Sequence, residues 1–174
     1  MQDFWVFGYG SLIWRPDFPF LESKPGNICH WSRRFWQGSH DHRGTENRPG
    51  RVLTLIASEG KLCYGRAFRV TKEVLDHLDQ REKNGYKRHD VSIQLPSTRV
   101  AGIVYIASQQ NAAFLGDAPL EAIADQICQS EGPSGSNVEY LTKLADALKD
   151  LRIEDDHVFR LDTMVRKKLG LYTT

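Results

Sequence analysis

Residues 89–107 read HDVSIQLPSTRVAGIVYIA. In the first part, residues 89–95, Val91, Ile93 and Leu95 alternate with polar neighbours, which is typical of a strand with one buried face. The second part, residues 100–107, is apolar throughout and is predicted to be a strand buried on both faces. Two strands that follow each other without an intervening helix are typical of antiparallel or mixed sheets, and they disfavour a regular parallel α/β fold.

Upstream of this pair the chain is also rich in predicted strands, and it contains one predicted helix. Strands are expected at residues 4–7, 28–36, 51–56 and 62–70, where aromatic and β-branched residues are frequent. The helix is expected to begin near Thr71 and to end at Asn84-Gly85, because glycine readily adopts the left-handed conformation that ends a helix.

The last third of the sequence changes to a helical period. Apolar residues recur at helical spacing in three segments, which begin after Pro119, at the S-x-x-E capping box that starts with Ser136, and near Asp155. The repeating residues are Leu120, Ile123, Ala124 and Ile127 in the first segment, Val138, Leu141, Leu144, Leu148 and Leu151 in the second, and Val158, Leu161, Val165 and Leu169 in the third. The sequence thus predicts an α+β protein of one domain over residues 1–174, with a mostly antiparallel or mixed sheet that can close as a barrel and helices packed around it.

Composition is that of an ordinary globular protein and argues against several classes of partner. The chain has 174 residues, and 23 Lys and Arg against 22 Asp and Glu leave a formal net charge of +1. Without an excess of basic charge, neither nucleic acid nor an anionic membrane is expected as a partner. Cys29, Cys63 and Cys128 are widely spaced and include no C-x-x-C pair, so we expect neither a disulfide framework nor a zinc site. The absence of a leader pattern and of long apolar runs predicts a cytoplasmic protein.

Glu82 is a charged residue at a position where the predicted helix buries apolar side chains. It follows Leu75 by seven residues and Leu78 by four, which places it on the same helical face. Burial raises the pKa of a carboxylate, and a glutamate can then act as a base or an acid near neutral pH. The alternative is that the helix has ended by Glu82, or that Glu82 pairs in solvent with Arg81, Lys83 or Arg88, and helical spacing alone favours this solvated arrangement.

A glycine-rich turn, Gly8-Tyr9-Gly10-Ser11-Leu12, follows the first predicted strand. Two glycines that bracket a turn allow backbone N–H groups to converge on an anion, or a ligand to approach the main chain closely. The dinucleotide-binding motif G-x-G-x-x-G does not fit, because Ile13 stands where its third glycine is required. Ser11 does not lie in the G-x-S-x-G motif of a hydrolase nucleophile. By itself, the stretch also fits a plain tight turn.

Two further polar stretches have simpler interpretations than a binding site. His40-Asp41-His42 could ligate a metal, but no third ligand stands at a characteristic spacing, so we expect the polar loop at residues 39–47 to be a solvated surface or a flap over the substrate. The segment Trp31-Ser32-Arg33-Arg34-Phe35-Trp36 alternates basic and aromatic residues, as single-strand nucleic-acid binders do. The neutral chain provides no surrounding basic field, and a barrel strand is the better explanation.

Several stretches match one protein family in order and spacing over nearly the whole chain. They are Val6-Phe7-Gly8-Tyr9-Gly10-Ser11-Leu12-Ile13-Trp14, Ser32-Arg33-Arg34-Phe35-Trp36-Gln37-Gly38, His42-Arg43-Gly44, Pro49-Gly50-Arg51-Val52, Arg81-Glu82-Lys83, Gly85-Tyr86, Tyr105-Ile106-Ala107, Gly132-Pro133-Ser134-Gly135 and Glu139-Tyr140-Leu141. On this ordered set the chain resembles the ChaC-like γ-glutamylcyclotransferases, in particular the glutathione-specific branch.

The resemblance implies a fold, a reaction and a set of site residues. The fold is γ-glutamylcyclotransferase-like, a small mixed β-barrel surrounded by helices. The reaction converts glutathione to 5-oxoproline and cysteinyl-glycine without a metal, an organic cofactor or an obligate protein partner. Glu82 is implied to be the proton acceptor and Tyr140 to lie near the pocket, while the γ-glutamyl group is held by Gly8, Tyr9, Gly10, Ser11, Leu12 and Ile13.

Two other functions stay open on the sequence. One is a cyclotransferase that acts on other γ-glutamyl amino acids or amines, since the loop at residues 39–47 varies in such proteins. The other is a non-enzymatic binder of γ-glutamyl metabolites that regulates cation transport. The pairing of the glycine turn with Glu82 favours an enzyme, because a binder does not need a base that faces its ligand.

Overall fold

The computed structural model of the protein describes residues 2–81 and 85–171. The chain divides into two units, one of Met1–Ser32 and Leu55–Asn111 and one of Arg33–Thr54 and Ala112–Thr174. Two of the three boundaries fall within the two longest strands, so each of these strands contributes residues to both units. A single catalytic domain over residues 1–174 stays a prediction.

The long strands form a closed, five-stranded barrel. They are β1 (Asp3–Gly8), β2 (Glu22–Ser39), β3 (Gly50–Thr71), β4 (Tyr86–Gln94) and β5 (Arg99–Ala107), and neighbouring strands follow the order β1-β3-β2-β4-β5. β1 pairs antiparallel with β3 and parallel with β5, where Val6 lies opposite Ile103. β4 and β5 pair antiparallel from end to end. The predicted α+β class with a mixed barrel is therefore confirmed.

Two helices belong to the first unit. α1 (Ser11–Trp14) is a single turn that directly follows β1, and α2 (Lys72–Arg81) follows β3. The sequence does not predict α1, because Pro16 argues against a helix here, and the helix is short enough to end before that proline. α2 begins where predicted. Asn84 of its predicted end lies outside the described residues, but Gly85 takes the expected positive φ, 85°.

The apolar face predicted for α2 is buried in the core of the first unit. Leu75 and Leu78 are 3% and 1% exposed. Their cluster also contains Val6, Phe18, Phe68, Val70, Ile103 and Tyr105, with Phe4, Leu12, Val74 and Tyr86 packed against it. Both faces of β5 are buried only from Ile103 to Ala107, since its first residues, which begin at Arg99, are exposed or half-buried.

β2 and β3 are longer than the sequence predicts. Residues 51–56 and 62–70 were expected to be two strands, and this was wrong because β3 continues through the polar residues between them. At this point His30 on β2 and Gly60 on β3 take φ values of 72° and 79°. The Gly60 N–H donates to His30 Nδ1 at 3.0 Å. This hydrogen bond joins β2 and β3 at the point where the two predicted strands were expected to be separate.

The second unit contains three helices and a small hairpin. The helices are α3 (Leu120–Gln129), α4 (Asn137–Asp150) and α5 (Asp156–Lys168), and β6 (Glu131–Gly132) pairs with β7 (Gly135–Ser136) in the hairpin, which the sequence does not predict. The three helices are confirmed where predicted. Ser136 caps α4 by accepting from the Glu139 N–H at 3.1 Å, and Asp155 caps α5 by accepting from the Val158 N–H at 3.1 Å. Among the described residues, no helix is both long and apolar enough to cross a membrane.

Candidate active site

The glycine-rich turn joins β1 to α1. β1 ends at Gly8, Tyr9 and Gly10 form the bend, and α1 begins at Ser11. The N–H of Ile13 donates to the carbonyl oxygen of Gly10 at 2.9 Å. Because the first N–H groups of a helix have no partner within that helix, the turn can present backbone donors to a carboxylate.

Close packing beneath the turn accounts for its shape. A Cβ atom at Gly8 would stand 3.0 Å from Leu12 Cβ and 3.2 Å from the ring of Phe68. On the facing strand, a Cβ atom at Gly65 would overlap the carbonyl oxygen of Gly8 and approach the Phe7 ring to 2.9 Å. The backbones of β1 and β3 can approach this closely only because position 65 has no side chain.

Tyr9 ties the turn to β5. It is 7% exposed, and its hydroxyl donates to the backbone carbonyl oxygen of Tyr105 at 2.7 Å. The hydroxyl of Tyr105 in turn donates to Asp79 Oδ1 on α2 at 2.6 Å, and Asp79 Oδ2 accepts from Arg88 Nη1 on β4 at 3.0 Å. A chain of hydrogen bonds therefore runs from the turn through β5 to α2 and β4. Sequence reasoning did not identify this network, because Asp79 and Tyr105 are 26 positions apart and meet only when α2 packs against β5.

Glu82, the predicted base, lies outside the described residues. The described part of α2 ends one residue earlier, at Arg81. The face on which Glu82 was predicted is apolar and buried at Leu75 and Leu78, as expected. The role of Glu82 stays a prediction.

Tyr140 lies on α4 in the second unit. Its side chain is 7% exposed, and its hydroxyl accepts a hydrogen bond from the Leu53 N–H at 3.3 Å. Its ring meets that of Phe35 edge to face at 5.9 Å, and the guanidinium carbon of Arg43 lies 5.7 Å from the ring centroid. These contacts hold the tyrosine firmly, and its predicted role in substrate binding stays a prediction.

Arg51 is a buried arginine at the start of a predicted strand, and its structural role could not be predicted from the sequence. Its Nη1 donates to the carbonyl oxygens of Phe35 at 3.0 Å and Gly116 at 2.8 Å, and its Nε donates to Gln126 Oε1 at 2.8 Å. Burial lowers the pKa of its guanidinium from the ordinary value, and the charge of Asp117 opposes that effect. The signal available in the sequence is a charged residue at a strand position that ought to face inwards.

Asn137 completes the surroundings of Arg51. Its side chain is fully buried, accepts from the Arg51 N–H and donates to the Arg51 carbonyl oxygen, each at 2.8 Å. The side-chain amide of the first residue of α4 thereby satisfies the backbone N–H and carbonyl of Arg51, as a neighbouring strand would do.

His157 has a strongly lowered pKa and accepts a backbone hydrogen bond. The Phe35 N–H donates to its Nε2 at 2.9 Å, and the two rings stack with centroids 6.0 Å apart. Burial, followed by the charges of Arg34, Arg160 and Arg51, lowers the pKa of His157 to about 3. The imidazole is therefore neutral, and it serves as a hydrogen-bond acceptor for the backbone of β2.

Most of the loop at residues 39–47 is exposed, as predicted, but a few of its side chains are buried. Ser39 and Arg43 are 3% and 4% exposed, and Arg43 Nη1 donates to the carbonyl oxygen of Ser136 at 3.1 Å. His42 Nδ1 lies 3.0 Å from Ser134 Oγ. Over residues 2–81 and 85–171, no three His, Cys, Asp or Glu side chains group closely enough to hold a metal ion. Independence from metals stays a prediction for experiment.

Comparisons with known proteins agree over nearly the whole chain. The ChaC-like protein family matches residues 4–168. Gamma-glutamylcyclotransferase 2-3 of Arabidopsis thaliana is 47% identical over 95% of this chain and 90% of its own. Glutathione-specific gamma-glutamylcyclotransferase 1 of Homo sapiens is 41% identical over 90% of this chain and 76% of its own. The crystal structure of the yeast γ-glutamyl cyclotransferase specific to glutathione has a TM-score of 0.90 at 30% identity and covers 100% of both chains.

Proposed function

The chain belongs to the ChaC-like protein family, and we propose that it is a glutathione-specific γ-glutamylcyclotransferase, a lyase that converts glutathione to 5-oxoproline and cysteinyl-glycine. The observation that carries this proposal is the whole-length likeness to relatives and a solved structure whose names state that activity. The glycine turn supports it, because it offers backbone donors at the end of a strand.

In the proposed reaction the substrate attacks itself. The α-amine nitrogen forms a bond to the γ-carbonyl carbon and closes a five-membered lactam, and the bond from that carbon to the cysteinyl nitrogen breaks. The attacking nitrogen loses two protons in going from the α-ammonium to the lactam N–H, and the cysteinyl nitrogen gains two in leaving as the ammonium of cysteinyl-glycine, so atoms and charge balance without a cofactor. Intramolecular attack can reach effective molarities of roughly 10⁵ to 10⁸ M when the geometry is right.

The protein then has three tasks, for which we propose named residues. Backbone N–H groups of the turn from Gly8 to Ile13 hold the γ-glutamyl group and stabilise developing negative charge. Glu82 takes one proton from the α-ammonium and delivers one to the leaving amine, and the second proton is exchanged with water. Tyr140 contributes to substrate binding, a role that rests on the family resemblance alone. We further propose that the enzyme acts in the cytoplasm and needs no obligate protein partner.

Release of 5-oxoproline is the direct test. Purified protein is incubated with reduced glutathione and, separately, with γ-glutamyl-alanine at the same concentration, and 5-oxoproline is followed by mass spectrometry. We expect rapid formation from glutathione and far slower formation from γ-glutamyl-alanine. Equal or faster turnover of γ-glutamyl-alanine would contradict the specificity, and no 5-oxoproline from either substrate would contradict the enzymatic function.

A broader cyclotransferase is the second candidate. The name of the Arabidopsis thaliana relative at 47% identity, gamma-glutamylcyclotransferase 2-3, is compatible with this candidate as well. The same assay, extended to γ-glutamyl amines, separates this candidate from strict glutathione specificity.

A further inference from the structure

Tyr105 makes one hydrogen bond through its backbone carbonyl and another through its side-chain hydroxyl, and the two bonds reach the glycine turn and α2. Its backbone carbonyl oxygen accepts the Tyr9 hydroxyl of the glycine turn at 2.7 Å. Its own hydroxyl donates to Asp79 Oδ1 of α2 at 2.6 Å. Tyr105 is 6% exposed, so water competes weakly for its bond with Tyr9, whereas the bond with Asp79 is part-buried because the Asp79 side chain is 36% exposed.

Asp79 is likewise held from two sides. Its Oδ1 accepts from Tyr105 on β5, and its Oδ2 accepts from Arg88 on β4 at 3.0 Å. Arg88 and Tyr105 are directly opposite each other in the antiparallel register of these strands. The Asp79 carboxylate therefore contacts both residues of one cross-strand pair of β4 and β5. The exposed ion pair with Arg88 contributes little alone, whereas a hydroxyl that donates to a carboxylate makes one of the stronger hydrogen bonds.

The hydrogen bonds of Tyr105 with Tyr9 and with Asp79 together hold the last turn of α2 in a fixed position relative to the glycine turn. We propose that Tyr105 and Asp79 are positioning residues for catalysis, because a single residue of β5 anchors both the substrate-binding turn and the helix that leads to the proposed base. The inference rests on the proposed function. Neither residue touches the reacting atoms in this role, and Glu82 follows Asp79 by three residues in the sequence.

Tyr105→Phe is the sharpest test because it removes only one hydroxyl. The phenylalanine keeps the ring and the backbone carbonyl that accepts from Tyr9, so the turn keeps its anchor while α2 loses its own. We expect kcat for glutathione to fall about ten- to a hundredfold, the loss that a misplacement on the order of 1 Å can cause, with KM changed by less than about twofold. Asp79→Ala should act in the same way, and Asp79→Asn, which can still accept from the tyrosine hydroxyl, should restore part of the rate.

Two controls separate positioning from mere stabilisation. Asp76→Asn changes another exposed acid of α2, one whose partner is Lys72, and should leave kcat and KM unchanged. In a Glu82→Gln background, Tyr105→Phe should cause no further loss in the slow residual turnover, because there is no base left to position. Each rate is normalised to the folded fraction measured by thermal melting.

Unchanged kcat in Tyr105→Phe, or an equal loss in both the wild-type and Glu82→Gln backgrounds, would overturn the inference. Failure of the proposed function shows itself differently, as wild-type protein that releases no 5-oxoproline, and it would overturn both.

Discussion

Acid should destabilise this protein through His157. Its Nε2 accepts the Phe35 N–H, and its pKa is about 3 in the folded state against an ordinary 6.5. Between these two values the unfolded chain binds a proton that the folded chain does not. The stabilisation is therefore present in full above pH 6.5 and is lost as the pH falls towards 3. At pH 4.5, two units below the ordinary pKa, the loss is about 2.7 kcal/mol at about 1.36 kcal/mol per unit.

Urea unfolding of the wild type and His157→Gln at pH 7.5 and pH 4.5 measures this loss. The glutamine can accept the same backbone hydrogen bond but does not titrate, and every other titrating group is common to both proteins. We expect the free energy of unfolding to fall by about 2.7 kcal/mol more in the wild type than in the variant between the two pH values. Parallel losses in the two proteins would refute the reasoning.

Three further predictions concern catalysis, metals and the interior of the second unit. Glu82→Gln should lower the rate of 5-oxoproline release by about 10² to 10⁴ while folding and glutathione binding persist, as measured by turnover, titration calorimetry and melting temperature; near wild-type turnover would remove the base assignment. Activity should survive exhaustive EDTA treatment, and His42→Ala should gain nothing from added divalent ions; activity that returns only with such an ion would contradict this. Asn137→Ala leaves the buried N–H and carbonyl of Arg51 without their side-chain partner. We expect it to lower the free energy of unfolding, measured by urea titration, by about 2 to 4 kcal/mol. A loss below about 0.5 kcal/mol would contradict the argument.

Features that depend on neighbouring residues could be predicted from the sequence. Ser136 and Asp155 cap helices through N–H groups three residues ahead, so their positions in the chain suffice to identify them. Gly85 takes its positive φ for an equally local reason. The burial of Leu75 and Leu78 follows from helical spacing alone.

Features built by distant residues could not be predicted in this way. Arg51 and Asn137 are 86 positions apart, and nothing near either residue indicates the other. β3 continues through Gly60, where it is hydrogen-bonded to His30 on another strand, 30 positions away. In the candidate site, the glycine-rich turn can be identified from the sequence and its binding role is implied by the family resemblance, whereas the anchoring of Tyr9 by Tyr105 appears only once the barrel is closed.

The parallel pairing of β1 with β5 has a consequence for folding during synthesis. The ribosome makes β1 and its glycine turn well before their partners: Val6 pairs with Ile103, and the Tyr9 hydroxyl meets a carbonyl 96 residues further along. Contacts over such separations form slowly, because a long loop must be closed before they contribute. Until β5 has emerged, the nascent chain carries the complete glycine motif without the strand that holds it in shape. A translation product that stops before Tyr105 should therefore bind no substrate, although every residue of the motif is present.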